Sequence, residues 1–207
     1  MLRILDKNKV PVKGLRKYSD LCIENSIELD DKTLTFSLPY RNVRSAIAVE
    51  GYIETKDDRF VVKEIEKSSE GTATITAQLD LESLEGKPFR AFKSEEQTIK
   101  ATLQLAFAGT GWTVGECSVS KKRTLSMANV SALDVLKQAL KTYRAEIKID
   151  SKKQSIDIYP EVGSDKGVYF SDQLNLRKLT VQYSTYDFYT EIEPYGKDGL
   201  TIETVNS

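Results

Sequence analysis

The sequence contains no histidine. Without an imidazole there is no Ser-His-Asp or Cys-His nucleophile system, no HExxH zinc site, and no ring nitrogen exchanging protons near neutral pH. Most hydrolase mechanisms are excluded by this one absence. Carboxylate pairs of the kind that cleave glycosides survive it, but 31 acidic residues always offer pairs and so point nowhere in particular. Cysteine is almost as scarce. Cys22 and Cys117 lie far apart in a chain with no secretory signature, and neither has a nearby base that would make a thiolate. Both are expected to be reduced, buried and inert.

Long apolar runs are missing too. Nowhere do 18 apolar residues follow one another, and the opening "MLRILDKNKVPV" lacks the apolar core of a signal peptide. No membrane partner is expected, and a cytoplasmic, soluble product is. Thirty basic residues against 31 acidic ones leave a net charge of −1, with no block of like charge longer than Lys121, Lys122 and Arg123. A surface without a concentrated basic patch gives no specific hold on nucleic acid.

What is present is alternation. "KTLTFSLP", 32–39, puts Leu34, Phe36 and Leu38 on one face and Thr33, Thr35 and Ser37 on the other, the period of a half-buried strand. Strands continue through Tyr52 and Ile53, a polar "KDD" turn, "RFVVKEIE", an "SSEG" turn and "TATITAQL". Spacing of about ten residues with polar turns between suggests an antiparallel meander closing into a small barrel or sandwich. After "LEGKPF" the period changes. "SEEQ", 94–97, reads as a capping box opening a helix with Ile99, Leu103 and Phe107 on one stripe, stopped by Gly109 and Gly111. A strand carrying Trp112 and Val114 follows. A second helix opens at Ser131 with Asp134 completing its box, Val130 and Val135 spaced as a staple, and Leu133, Leu136, Leu140 and Tyr143 as its apolar face. In "AEIKIDSKKQSIDIYP", Ile147 and Ile149 face Ile156 and Ile158 across a four-residue turn. Leu103, Phe107 and Val114 overlie Leu136, Leu140 and Ile147 at an offset of 33 residues, which suggests a weak internal duplication.

From 168 onward strands return. Leu179, Val181 and Tyr183 share one parity and Tyr186, Phe188 and Ile192 the other, so a bulge or bend is expected near Ser184 and Thr185, with a tight turn at Asp198-Gly199. Strands, helix-rich insert, strands again: the order predicts an α+β fold in which an antiparallel β-barrel-like domain is interrupted by a smaller α/β insert domain.

No catalytic, cofactor-binding or metal-binding residue emerges. Asp30-Asp31, Asp57-Asp58 and Asp198 lack the alternate-position carboxylates of a calcium loop and read as turns. "GTGW", 109–112, follows a helix instead of a strand, so it reads as a helix stop and not a phosphate loop. The aromatic stretch "YSTYDFYTEIEPYGKDG", 183–199, offers rings that stack sugars or bases, or that pack in strands and interfaces. Aromatics are common in strands, which favours packing.

Three segments together resemble a known family. They are "EGYIETKDDRFVVKEIE", "LEGKPFRAFKSEEQTIKATLQLAFAGTGWTVG" and "DQLNLRKLTVQYSTYDFYTEIEPYGKDGLTI", which span most of 50–202. In order and spacing the chain resembles the N-terminal, hub region of the siphophage tail-associated, or prophage endopeptidase tail, proteins. The resemblance implies a phage baseplate-hub-like fold: a barrel over 1–86 plus 176–207 and an insert over 87–175. It implies a non-enzymatic virion tail component, assembled in the bacterial cytoplasm as a homotrimer that closes the tail tube. Its implied partners are the ring of the distal tail protein and the tail tube or tape-measure protein. Tyr183, Tyr186, Phe188 and Tyr189 are then expected inside the resumed barrel or at a neighbouring subunit. Family members normally continue into a second barrel and further domains, whereas this chain stops at Ser207. It therefore reads as a fragment, with any peptidase outside it. The competing expectation is a carbohydrate-binding module that attaches a particle or an enzyme to a cell wall.

Overall fold

The computed structural model describes residues 1–25, 32–39, 41, 46–167, 169, 171, 178 and 180. The chain divides into two compact units, Met1–Ser164 and Asp165–Ser207. In the second, few residues are described. Its clearest feature is a local turn in which the Gly167 N–H donates to Asp165 Oδ1 at 2.7 Å, with φ of +65° at Gly167. The strands expected after 168, the parity change near Ser184, the Asp198-Gly199 turn and the return of 176–207 to the β domain lie outside the described residues.

The first unit begins with seven strands: β1 (Leu2–Leu5), β2 (Pro11–Leu15), β3 (Ser19–Glu24), β4 (Thr33–Pro39), β5 (Tyr52–Glu54), β6 (Arg59–Lys67) and β7 (Thr72–Leu79). They form one antiparallel sheet in the order β2-β1-β5-β6-β7-β4-β3. Alternation decides which face is inside. Leu34, Phe36 and Leu38 are buried, and the register sets them opposite Ala77, Ile75 and Ala73, which are buried on the same face. Each such large side chain contributes roughly 1.5–3 kcal/mol by leaving water.

The two outermost strands are neighbours in sequence. Only Arg16, Lys17 and Tyr18 separate β2 from β3. Four Cα steps reach at most about 15 Å, whereas six strand spacings would hold the edges of a flat sheet about 29 Å apart. The sheet must therefore curl, and it forms a half-barrel. Tyr18, at the corner, packs edge-on against Phe36 with ring centroids 6.2 Å apart.

The second half of the unit follows a short helix, α1 (Glu82–Glu85). Then come β8 (Pro88–Thr98), α2 (Ile99–Phe107), β9 (Thr113–Cys117), β10 (Lys122–Ser131), α3 (Ala132–Tyr143), β11 (Glu146–Asp150) and β12 (Ser155–Tyr159). β8 and β10 make an antiparallel ribbon, and a second sheet has the order β11-β12-β9. The β11–β12 hairpin sets Ile147 opposite Ile158 and Ile149 opposite Ile156, as expected. The capping box at Ser131 is complete, each partner bonding the other's backbone.

The box expected at 94–97 does not form. Those residues belong to β8, with Ser94 opposite Leu125, and α2 begins later, capped by Thr98 Oγ1 accepting from the Ala101 N–H at 3.3 Å. Pairing with β10 overrides the local signal. Ser94 is buried and its hydroxyl bonds Thr102 Oγ1 at 2.8 Å, leaving it unavailable as a cap. Thr102 in turn contacts the Tyr143 hydroxyl at 3.1 Å, and that hydroxyl lies 2.8 Å from Gln97 O and 3.2 Å from Arg123 O. These are the carbonyls beside the β8–β10 register shift, where Glu96 takes φ of +46°.

Cys22 also departs from expectation. It is exposed, because β3 is an outermost strand with all six residues exposed; Cys117 is half-buried, its thiol 3.6 Å from Val119 O.

The suspected duplication is supported by geometry well beyond its sequence signal. The N-caps Thr98 and Ser131 stand 33 residues apart, and so do the buried pairs Leu103 and Leu136, and Ala106 and Ala139. Left-handed residues repeat as well: Glu96 at +46° with Asn129 at +54°, and Gly111 at +86° with Arg144 at +52°. In the ribbon, Lys93 pairs with Ser126, its own equivalent, and the pair Phe92–Met127 maps onto Ser94–Leu125. A pseudo-twofold axis therefore passes through the ribbon centre. β9 runs parallel and β11 antiparallel to β12, so the last strands of the two copies oppose each other as that axis requires.

The repeat predicts opposite outcomes at its two left-handed ends. Arg144→Gly should raise the free energy of urea unfolding by about 1 kcal/mol, because glycine carries no Cβ penalty at positive φ. Gly111→Ala should lower it by at least as much, its Cβ also meeting Gln154 Oε1 at 3.3 Å.

Candidate functional site

The residues singled out from sequence as an interface, Tyr183, Tyr186, Phe188 and Tyr189, lie outside the described residues, as do Asp30, Asp31 and Asp198. Asp57 and Asp58 sit in the expected turn, where Thr55 Oγ1 accepts the Asp58 N–H at 2.9 Å. Asp58 is further held by Lys32 Nζ at 2.7 Å. Among the described residues no group of three or more His, Cys, Asp or Glu is placed to hold a metal ion, and no helix is long and apolar enough to cross a membrane.

The dominant polar assembly lies where the curled sheet hands over to α1. Asp80, only 1% exposed, receives Lys9 Nζ at 2.8 Å and has Arg59 Nη1 at 3.8 Å. Arg59 also donates from Nε and Nη2 to Glu54 Oε1, at 3.1 and 3.0 Å. Lys9 Nζ stands 4.9 Å from the centre of the Tyr52 ring, whose hydroxyl donates to Glu82 Oε2 at 3.1 Å. Lys63 closes the chain, 2.7 Å from Glu82 and 3.2 Å from Glu50.

Electrostatics fix the roles. Burial, with the negative charge of Glu82 next, pushes the Tyr52 phenol up to about 12, so it stays a hydrogen-bond donor at neutral pH. Burial pushes Glu82 upward, but the hydrogen bonds it makes, that from Lys63 foremost, outweigh this and hold its carboxyl below the usual range. A general acid needs the reverse shift. These carboxylates are spent as anchors for the 80–85 segment.

The same region joins the halves. The Arg59 N–H donates to the fully buried Ser151 Oγ at 2.8 Å, and Lys152 Nζ reaches Lys56 O at 2.9 Å. Ser83 Oγ accepts from Trp112 Nε1 at 2.9 Å and Gln154 Nε2 at 3.3 Å. One apolar core runs from Ile4 and Phe36 through Leu84 to Leu103 and Leu136. The sheet and the segment after it are thus a single packed body. The sequence carried no local sign of this junction, since Asp80 and Lys9 are 71 residues apart.

The surface feature that stands out is the pair of outer edges. β2 and β3 each pair with one strand among the described residues, and Val10, Val12, Leu21 and Ile23 beside or on them are 44–55% exposed. A strand edge that no other strand covers carries unpaired backbone donors and acceptors and is a template for another strand.

The lowered carboxyl of Glu82 makes a pH prediction. A group whose folded pKa lies below its unfolded value stabilises above that unfolded value, near 4.3, and loses the effect as pH falls through the folded one. The melting-temperature gap between wild type and Glu82→Gln should therefore be open at pH 7 and close progressively below about pH 4. A gap that widens in acid would contradict the assignment.

Comparison with known proteins follows the division at the junction. Residues 2–79 match the prophage endopeptidase tail N-terminal domain, and residues 88–158 match the prophage endopeptidase tail domain. No curated protein matches the chain in sequence. Among solved structures, the prophage tail protein gp18 from Listeria monocytogenes EGD-e shares the fold at a TM-score of 0.72 and 16% identity, over 97% of this chain and 64% of that one. The tail protein from Neisseria meningitidis MC58 aligns at 0.58 and 8% identity, over 93% of this chain and 62% of its own. The 43 kDa tail protein of prophage MuSo2 from Shewanella oneidensis aligns at 0.56 and 12%, over 81% and 56%. The chain thus spans somewhat under two thirds of the length of these structures. With both matched domains folded in series as one body, the chain belongs to a phage tail protein family, that of the prophage endopeptidase tail proteins.

Proposed function

We propose that this chain is a structural part of a phage or prophage tail tip: the baseplate-hub-like N-terminal region of a tail-associated protein. In this reading it closes the tail tube, docks on the ring of the distal tail protein and meets the tail tube or tape-measure protein. The complete protein is a homotrimer assembled in the host cytoplasm. The observation that carries the reading is the series of two tail-domain matches, 2–79 and 88–158, locked through Arg59, Ser83 and Ser151 into one core. Two matched regions that share one core, with paired charges at their junction, suit a structural part. The peptidase in the family's name belongs, in this reading, to a part of the protein beyond these 207 residues.

Mass measurement in solution, with and without the distal tail ring protein, tests it. Capture of the chain by the ring is expected, with no release of fragments from host cell-wall material. Catalytic release of fragments, or retention on cell-wall glycan without capture by the ring, would overturn it, and the second outcome would favour the carbohydrate-binding alternative.

A further inference from the structure

The β8–β10 ribbon carries a pseudo-twofold axis, and its register breaks that symmetry. Pairing runs without interruption from Ser131 opposite Pro88 to Leu125 opposite Ser94, then shifts by one residue before Arg123 meets Gln97. There Glu95 and Glu96 stand against Thr124 alone, so the shift is a bulge in β8. The end related to it by the axis, around Asn129, has no shift, although Asn129 takes φ of +54° and Glu96 +46°. A left-handed residue therefore does not by itself make the bulge.

The side chains beneath the two ends differ. Ser94, Thr102 and Tyr143 are each at most 5% exposed, and their hydroxyls meet at 2.8 Å and 3.1 Å. The Tyr143 hydroxyl lies 2.8 Å from Gln97 O and 3.2 Å from Arg123 O, one carbonyl from each strand, and these two residues are the first pair beyond the bulge. A carbonyl only accepts, so the tyrosine hydrogen points at them. The Tyr143 oxygen then accepts from Thr102, and the Thr102 oxygen from Ser94. At the related end the equivalents of Ser94, Thr102 and Tyr143 are Met127, Val135 and Thr110. Two of these have no hydroxyl, and Thr110 Oγ1 donates to Phe107 O where α2 ends. Among the described residues the bulge and the buried hydroxyls occur together at one end of the ribbon, and neither occurs at the other.

We propose that this chain of hydroxyls is a register lock: Tyr143 holds the two strands in the shifted register, and Thr102 and Ser94 hold Tyr143. The competing register is that of the rest of the ribbon carried through to its end, with Gln97 opposite Lys122 instead of Arg123. A slip of one residue turns the following side chains to the other face. It also takes the two carbonyls away from the Tyr143 hydroxyl, leaving a buried donor without its acceptor. The lock serves α2 as well. Thr98, opposite Lys122, is the N-cap of that helix, so the register beyond the bulge fixes where α2 starts. All of these residues lie within 88–143, so the lock operates whether or not the chain docks on a tail ring.

Nuclear Overhauser contacts between backbone protons, measured on the full isotope-labelled chain, read the register directly. The wild type should show Gln97 in contact with Arg123, and Ala91 in contact with Ala128. In Tyr143→Phe the Gln97–Arg123 contact should fall several-fold, with or without a Gln97–Lys122 contact in its place, while Ala91–Ala128 is unchanged. Thr102→Val places at 102 the residue found at the equivalent position 135. It should keep the wild-type circular-dichroism spectrum and show the same loss to a smaller degree, and it decides the matter where Tyr143→Phe does not fold. A folded Tyr143→Phe or Thr102→Val chain that keeps the Gln97–Arg123 contact at full strength would overturn the lock. So would an equal weakening of Ala91–Ala128, which marks a general loosening of the ribbon.

Discussion

Three residues set the shape of the first half of this protein. Arg16, Lys17 and Tyr18 join strands that lie at opposite ends of a seven-stranded sheet, and a link that short cannot cross a flat sheet of that width. Curling follows from connectivity, and a concave face follows from curling. Into that face go Leu34, Phe36, Ile53 and Ile75, every one fully shielded from water. The same constraint brings β2 and β3, which each pair with one strand among the described residues, close to one another at the link.

The second half obeys a different rule, repetition. Two β-α-β units face each other across the β8–β10 ribbon, each with a hydroxyl N-cap, a left-handed residue before the cap and another after the helix. The chemistry diverged where the geometry did not. Glycine serves at 111 and arginine at 144, while threonine at 102 takes the place held by valine at 135 and bonds to Ser94 and Tyr143. Between the halves, charges do what packing alone leaves undone. Asp80 and Glu82 fasten the crossing segment to the sheet through Lys9, Arg59 and Lys63, and Ser151 of the far hairpin accepts a hydrogen bond from the Arg59 N–H. Buried ion pairs are weak evidence for added stability but strong determinants of where a segment must sit.

Local features were legible in the sequence and long-range ones were not. The alternation around Phe36, the Ser131–Asp134 box and the facing isoleucines of the β11–β12 hairpin all depend on neighbours within a dozen residues. "SEEQ" misled because a capping signal competes with strand pairing, and the β10 residues that pair with it lie far along the chain. Cys22 misled because nothing in its surroundings says that β3 ends a sheet. The Asp80 cluster gave no signal, since lysine, arginine and aspartate are ordinary on any surface until the fold brings them together. Beyond sequence patterns, the family resemblance was legible from the order of three segments, and both tail-domain matches agree with it.

The curled sheet and the segment after it share one core, from Phe36 through Leu84 to Leu136, and are tied together by Arg59, Ser83 and Ser151. Amide hydrogen exchange at rising urea tests this most directly. Protection of the Phe36 and Ile75 amides lost together with that of the Leu103 and Leu136 amides, in one cooperative step, is the predicted result. Sheet amides that exchange at a urea concentration where those of α2 and α3 stay protected would contradict it.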